Sequence, residues 1–145
     1  MGRTSFSASE IAFIQRQRVG RLGTSDAEGH PYVVPVCYIF DGTHVIIALD
    51  EKPKSVEVRQ LKRVRNIEAR HEASLVIDHY SDDWTQLAYV LVYGYAELVP
   101  PGHSWHTQAL PLLRARYIQY QTMALETLPM IVITPERITS WFANA

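Results

Sequence analysis

Pro31-Tyr32-Val33-Val34-Pro35-Val36-Cys37-Tyr38-Ile39-Phe40 reads as a strand. Successive side chains of a strand point to opposite sides, so Val34, Val36 and Tyr38 share one face and Val33, Pro35, Cys37 and Ile39 the other. Pro35 has no N–H to donate, so at that point the strand has an edge, a bulge or a contact surface on one side. Working back, Asp26-Ala27-Glu28-Gly29 is a turn that joins it to an earlier strand, Val19 to Ser25. Before that, Ser7 and Glu10 have capping-box spacing, with Phe6 placed to staple onto Ile11. This predicts a helix to about Gln17 with Ile11 and Ile14 on its apolar stripe. Working forward, Asp41-Gly42 is a hairpin signal and His44 to Leu49 a third strand. Three antiparallel strands in a row make a meander.

The third strand empties into Asp50-Glu51-Lys52-Pro53-Lys54, and a helix is predicted over Val56 to Arg70. Six of the fourteen Lys and Arg lie between positions 52 and 65. A cationic turn followed by a helix start can hold a phosphate through charge-assisted bonds and free backbone N–H groups. The alternative is a solvated basic face, since Val58, Leu61 and Val64 inward would leave Arg59, Lys62 and Arg63 outward.

Ala73 to Tyr80 reads as a fourth strand, Ser81-Asp82-Asp83-Trp84 as a loop, and Gln86 to Val99 as a fifth strand with a bulge or bend at Gly94. Pro100-Pro101-Gly102 ends it. His103 to about Met123 reads as helical, with Pro111 kinking or dividing it. Pro129 to Thr134 is a sixth strand, Pro135-Glu136-Arg137 a turn, and Ile138 to Phe142 the closing segment. Six strands with two or three helices in a single domain, 1–145, point to a mainly β antiparallel barrel with helices on its ends, because closure removes sheet edges.

Composition narrows the function classes. Apolar residues are 47% and charged residues 20%, the balance of a folded globular chain. A formal net charge of -1 provides no basic field for nucleic acid or an acidic membrane surface. The apolar runs fall well short of the roughly 20 residues that span a bilayer. The single cysteine, Cys37, forms no intrachain disulfide or thiolate cluster and fits a reducing cytoplasm. Met1 to Ser5 has no apolar stretch of the kind that opens a signal peptide. The expectation is a cytoplasmic protein.

Few chemical constellations stand out. His103 and His106 have the spacing of a helical ligand pair but complete no metal set. His79 follows Asp78, near Asp82 and Asp83, where carboxylates more often cap a turn than act as a base. Cys37 lacks a visible base and reads as a small core or interface residue. Trp84, in a polar loop, needs cover from its own barrel, a partner subunit or a planar ligand.

In this order the segments resemble the pyridoxamine 5′-phosphate oxidase-like, FMN-binding split β-barrels, and most closely their branch assigned to the deazaflavin coenzyme F-420. The carriers are Arg18 to Thr24, His30 to Cys37, Asp50 to Lys54, Arg65-Asn66-Ile67, Ser74 to Tyr80 with Asp83-Trp84, Gly94 to Glu97, and Arg137-Ile138 with Trp141. The resemblance implies a six-stranded antiparallel Greek-key split β-barrel, a homodimer with cofactor in the subunit grooves, and a small-molecule substrate. It implies phosphate held by Lys52 and Lys54, with Arg59 in support, and a ring lying along Val34, Pro35, Val36, Ala48, Leu49 and Asp50 under cover of Trp84. Two departures argue against pyridoxamine phosphate oxidation itself: residues 129–145 offer only Arg137 in place of an Arg/His-rich substrate signature, and Lys-Pro-Lys stands where Ser/Thr-Arg-Lys is usual.

The implied activity is hydride transfer through coenzyme F-420 to a small conjugated substrate, with FMN as the other cofactor. The cofactor would carry the chemistry and no side chain is assigned as acid or base. A non-catalytic carrier of cofactor or haem is the remaining class, for which His103 or His79 is the residue to test.

Overall fold

The computed structural model describes residues 3–50 and 61–144. Its strands are β1 (Gly20–Ser25), β2 (Pro31–Val36), β3 (Ile39–Phe40), β4 (Val45–Ala48), β5 (Glu72–His79), β6 (Ala88–Val99) and β7 (Met130–Phe142). The helices are α1 (Ala8–Arg16), α2 (Lys62–Arg70) and α3 (Ser104–Arg116). All strands form one antiparallel sheet in the order β2-β1-β5-β6-β7-β4-β3. β2 and β3 stand at opposite ends of that order, yet only Cys37 and Tyr38 separate them in the chain. The sheet therefore curls until its ends meet, which is the split barrel expected.

The strand count is seven rather than six because the strand expected over 31–40 is broken at Cys37–Tyr38. The cause is Tyr117, at the end of α3. Its hydroxyl accepts the Tyr38 N–H at 3.1 Å and faces the carbonyls of Tyr38 and Arg18, each at 2.9 Å. A buried backbone donor must be paired somewhere, and here a side chain takes it out of the ladder. Among the described residues β2 pairs only with β1, so the edge anticipated at Pro35 is present, with Pro35 opposite Arg21.

β6 and β7 form the long central pair. Tyr93 faces Arg137 and Gly94 faces Pro135, which leaves Glu136 as an extra residue on β7. The turn expected at Pro135-Glu136-Arg137 is thus a bulge, and Met130–Phe142 is one strand rather than two segments. Pro111 does not divide α3, which runs through it to Arg116 with the proline on the exposed side.

The α1 capping box is closed: Ser7 Oγ accepts the Glu10 N–H at 3.2 Å, and Glu10 Oε1 accepts the Ser7 N–H at 2.8 Å. Its buried apolar positions are Phe13 and Ile14, so the stripe is turned by one residue from the Ile11/Ile14 expectation. Phe6 packs edge-on against Phe40, with ring centroids 4.8 Å apart. Tyr38 ties the helix end down, its hydroxyl donating to Ile14 O at 2.6 Å.

Two apolar clusters hold the fold. Leu22, Val45, Ile47, Leu75, Ile77, Val90, Val92 and Ile133 fill the barrel. Ile46, Ala48, Val99, Leu113, Tyr120, Met130 and Val132 form a second cluster between the sheet and the α3 region. All four residues of β4 are buried, which is why this strand lacks a polar alternation. No helix among the described residues is long and apolar enough to cross a membrane.

Candidate functional site

The ends of β2 and β4 converge on a cavity of about 200 Å³. Pro35, Val36 and Cys37 line it from β2 and the break that follows, and Ala48 and Asp50 from the end of β4. Val19 contributes from just before β1, Arg63 from the first turn of α2, and Tyr120 from the short 3-10 turn Ile118–Gln121. Of the ring contacts implied by the sequence resemblance, the fold brings Pro35, Val36, Ala48 and Asp50 together here. It leaves out Leu49, buried in the barrel, and Val34, which packs partly buried against the barrel core. Trp84 does not line this cavity. It sits 70% exposed in a 3-10 turn capped by Asp83, whose Oδ1 accepts the Thr85 N–H at 3.1 Å. Lys52, Lys54 and Arg59 lie outside the described residues.

Arg63 is the residue that sequence reasoning misplaces. Apolar spacing puts it on the outer side of its helix, with Val58, Leu61 and Val64 inward. The buried positions are Val64, Asn66 and Ile67, and Asn66 Nδ2 donates to Thr24 Oγ1 at 3.0 Å to seat the helix on β1. Val64 is thus inward as expected, yet Arg63 beside it in the first turn of α2 lines the cavity, where its Nε is buried without a hydrogen-bond partner. Other cations of the helix are used structurally. Lys62 lies 3.5 Å from the Asp26 carboxylate, and Arg70 donates to Asp26 O at 3.0 Å. A buried guanidinium N–H without an acceptor is costly, and a carboxylate, phosphate or carbonyl in the cavity would relieve it.

Tyr120 is the second residue missed, because nothing periodic marks the turn after α3. Its hydroxyl donates to Asp50 Oδ2 at 3.2 Å. Burial, and then the neighbouring Asp50 and Cys37, push its ionisation well above the ordinary tyrosine value, so it stays a donor. Arg114 fixes the turn, donating to Tyr120 O at 3.1 Å and Met123 O at 2.8 Å while pairing with Glu126 at 2.9 Å.

Larger cavities carry less chemistry. One of about 370 Å³ between α1 and α3 is lined by Arg18 and Arg116, but both guanidinia already bond carbonyls of Gln15, Gln17 and Arg116. Another, of about 280 Å³ on the outer face, has no cation in its lining. The histidines are held elsewhere. His103 Nδ1 accepts the Trp105 N–H at 3.1 Å, buried His106 donates to Leu128 O at 2.7 Å, and His79 is exposed at the end of β5. Among the described residues no group of three or more His, Cys, Asp and Glu is placed to hold a metal.

Residues 10–142 match the family described as pyridoxamine 5′-phosphate oxidase. A 5a,11a-dehydrotetracycline/5a,11a-dehydrooxytetracycline reductase of Streptomyces rimosus is 26% identical over 98 residues, which is 67% of this chain and 66% of that protein. The chain thus spans about two thirds of the reductase's length. Among solved structures, a conserved hypothetical protein of Mycobacterium tuberculosis superposes with a TM-score of 0.76 at 18% identity, over 99% of this chain and 90% of that one. An F420 reductase gives 0.67 at 20% identity, over 92% and 98%. HutZ, the haem storage protein of Vibrio cholerae, gives 0.70 at 14%, over 90% and 89%. At these identities the likenesses show the fold alone.

Proposed function

Because the chain belongs to the pyridoxamine 5′-phosphate oxidase family, we propose that it is an oxidoreductase that binds coenzyme F-420 at the Pro35–Asp50–Arg63 cavity and reduces a small conjugated substrate. The observation that carries this is the buried, unpartnered Arg63 Nε beside an apolar wall of Pro35, Val36 and Ala48. A planar, anionic or carbonyl-bearing ring matches both features. The cofactor would supply hydride transfer. The chain's part is to bond the ring's acceptors through Arg63, exclude water along the proline and valine wall, and present a polar corner at Asp50 and Tyr120. Lys52, Lys54 and Arg59 are proposed as further cations for the anionic tail, and Trp84 as cover. The F420 reductase and the dehydrotetracycline reductase among the similar proteins favour a deazaflavin and a dehydro substrate. The cytoplasm suits a lone thiol at the cavity.

The cavity is smaller than the roughly 300–1,000 Å³ that encloses a drug-sized ligand, so one chain forms only part of a ring site. The outer face of the sheet continues from Pro35 through Val76, Leu91, Tyr89 and Trp141, and exposes Val33 (64%) and Trp141 (48%). A homodimer across this face would bury those side chains and complete the site. Sedimentation should give twice 16.6 kDa, and a monomer at micromolar concentration would overturn the shared groove.

Titration with F-420 and with FMN, followed by cofactor fluorescence, tests the reading. Micromolar binding of F-420 supports it, binding of FMN alone moves it to a flavoprotein, and binding of neither sinks both. Arg63→Gln should weaken whichever binds by roughly 10- to 100-fold, as loss of a charge-assisted hydrogen bond of about 1.5–3 kcal/mol implies. Unchanged affinity would remove Arg63 from the site. The likeness to HutZ supports a second reading, a haem carrier. Haemin titration separates it, since a bound haem shifts the Soret band.

A further inference from the structure

We propose that the cavity between α1 and α3 is a second binding site, which takes an amphipathic carboxylate of the medium-chain acid type. The carboxylate meets Arg18 and Arg116, and the hydrocarbon lies on Ile14, Ile39, Phe40 and Leu112. The site shares no lining residue with the Asp50 cavity and does not depend on the cofactor reading. At about 370 Å³ it reaches the size, roughly 300–1,000 Å³, that encloses a small ligand. Its walls are largely apolar. Ile14 and Ile39 are buried beneath it, while Leu112 is left 46% exposed at its rim, where an apolar ligand would cover it.

The charge at this cavity is uncompensated. Arg3, Arg21, Lys62, Arg70 and Arg114 each pair with a carboxylate. Arg18 and Arg116 have no such partner among the described residues, and the lining contains no acid. Asp41 follows Phe40 in the chain, but its carboxylate is turned onto the Thr43 and His44 N–H groups. Both guanidinia stand against the Tyr117 ring, 4.9 and 5.3 Å from its centroid, so two like charges are held near one another and favour an anion beside them. The carbonyl bonds orient these groups without neutralising them. Arg116 is fixed by Gln15 O, Gln17 O and the Tyr117 hydroxyl. Arg18 gives one Nη2 hydrogen to Arg116 O, and its Nε and Nη1 hydrogens have no acceptor among the described residues. A guanidinium with free N–H groups is a donor fork for a carboxylate. Because the fold has already placed it, little is lost in ordering it on binding.

Calorimetric titration with butanoate, hexanoate and octanoate, with no cofactor added, tests the site. Affinity should rise about three- to fourfold per added CH₂, since each methylene leaves water, and octanoate should saturate the protein at submillimolar concentration. Octanol carries the tail without the charge and inorganic phosphate the charge without the tail, so each should bind roughly tenfold more weakly or worse. Arg18→Gln should weaken octanoate roughly tenfold and leave octanol unchanged. Leu112→Asp, at an exposed position, should weaken octanoate as well by setting a like charge on the rim. If thermal melting shows Arg18→Gln to be unfolded, Leu112→Asp decides alone. Arg63→Gln should leave octanoate binding unchanged, and a loss there would move the anion to the Asp50 cavity and overturn the proposal. A flat chain-length series, no saturation at millimolar octanoate, or equal affinity in Leu112→Asp and the unsubstituted chain would overturn it too. Each of these outcomes leaves the titrations with F-420 and FMN to decide the cofactor reading separately.

Discussion

Gly94→Ala is expected to lose more than about 4 kcal/mol of stability, enough to leave little folded protein. A Cβ on Gly94 would sit 2.1 Å from Thr134 O, 2.9 Å from Thr134 C and 3.1 Å from Pro135 Cα, all backbone atoms of β7. No side chain can rotate away to make room, so the two longest strands must part where the Glu136 bulge brings them close. Gly42→Ala is the control. Gly42 has φ +102° and no atom within 4 Å of where an added methyl would sit, so its cost is conformational, on the order of 1 kcal/mol. Urea unfolding of the two variants measures the contrast. A Gly94→Ala protein within about 1 kcal/mol of the unsubstituted chain would mean that β6 and β7 do not approach as described.

Acid should remove a defined part of the stability through Glu10. Its side chain is buried, and the Arg3 guanidinium meets it at 2.6 and 2.8 Å. Those bonds, opposed by burial and aided by the Ser140 hydroxyl and the Ser7 N–H, hold its pKa at about 2 against an ordinary 4.5. A carboxyl whose folded pKa is depressed stabilises the protein fully above its unfolded value, and loses that contribution as pH falls through the folded one. The window therefore runs from about 4.5 down to about 2. Its size is about 2–3 kcal/mol after allowance for a half-exposed Arg3. Glu10→Gln should be less stable by that amount at pH 7 and should lack this part of the acid slope. Equal stability at pH 7, or an unchanged slope in urea midpoints down to pH 2.5, would show that the latch carries nothing.

What could be read from the chain divides by the distance over which each feature is determined. The capping box of α1 is local to Ser7 and Glu10 and appears as expected. The other duties of Glu10 come from Arg3 and from Ser140, 130 residues on, and no local pattern announces them. The Gly94 irregularity was legible because a glycine inside a strand usually marks a close approach. The continuity of β7 through Pro135 was not, because it depends on β6 opposite. Likewise the break after Val36 is imposed by Tyr117, 79 residues from Tyr38. At the candidate site, Pro35, Val36, Ala48 and Asp50 followed from the resemblance to split barrels. Val64 was placed inward correctly, but apolar spacing carries no sign of the cavity that Arg63 meets at the helix start, and Tyr120 lies in a turn without periodicity.

The sheet order also dictates when the fold can exist during synthesis. β7 is the last strand to emerge, yet it lies between β6 and β4, and its Ile138 also pairs with Arg3. Until it arrives, the β3–β4 hairpin has no neighbour on its β4 side, and the first strands cannot be joined into a closed wall. A nascent chain that stops before Met130 presents two open strand edges at once, the condition that invites pairing with other chains. The enclosure that shapes the cavity at Asp50 is thus completed by residues about eighty positions downstream of it.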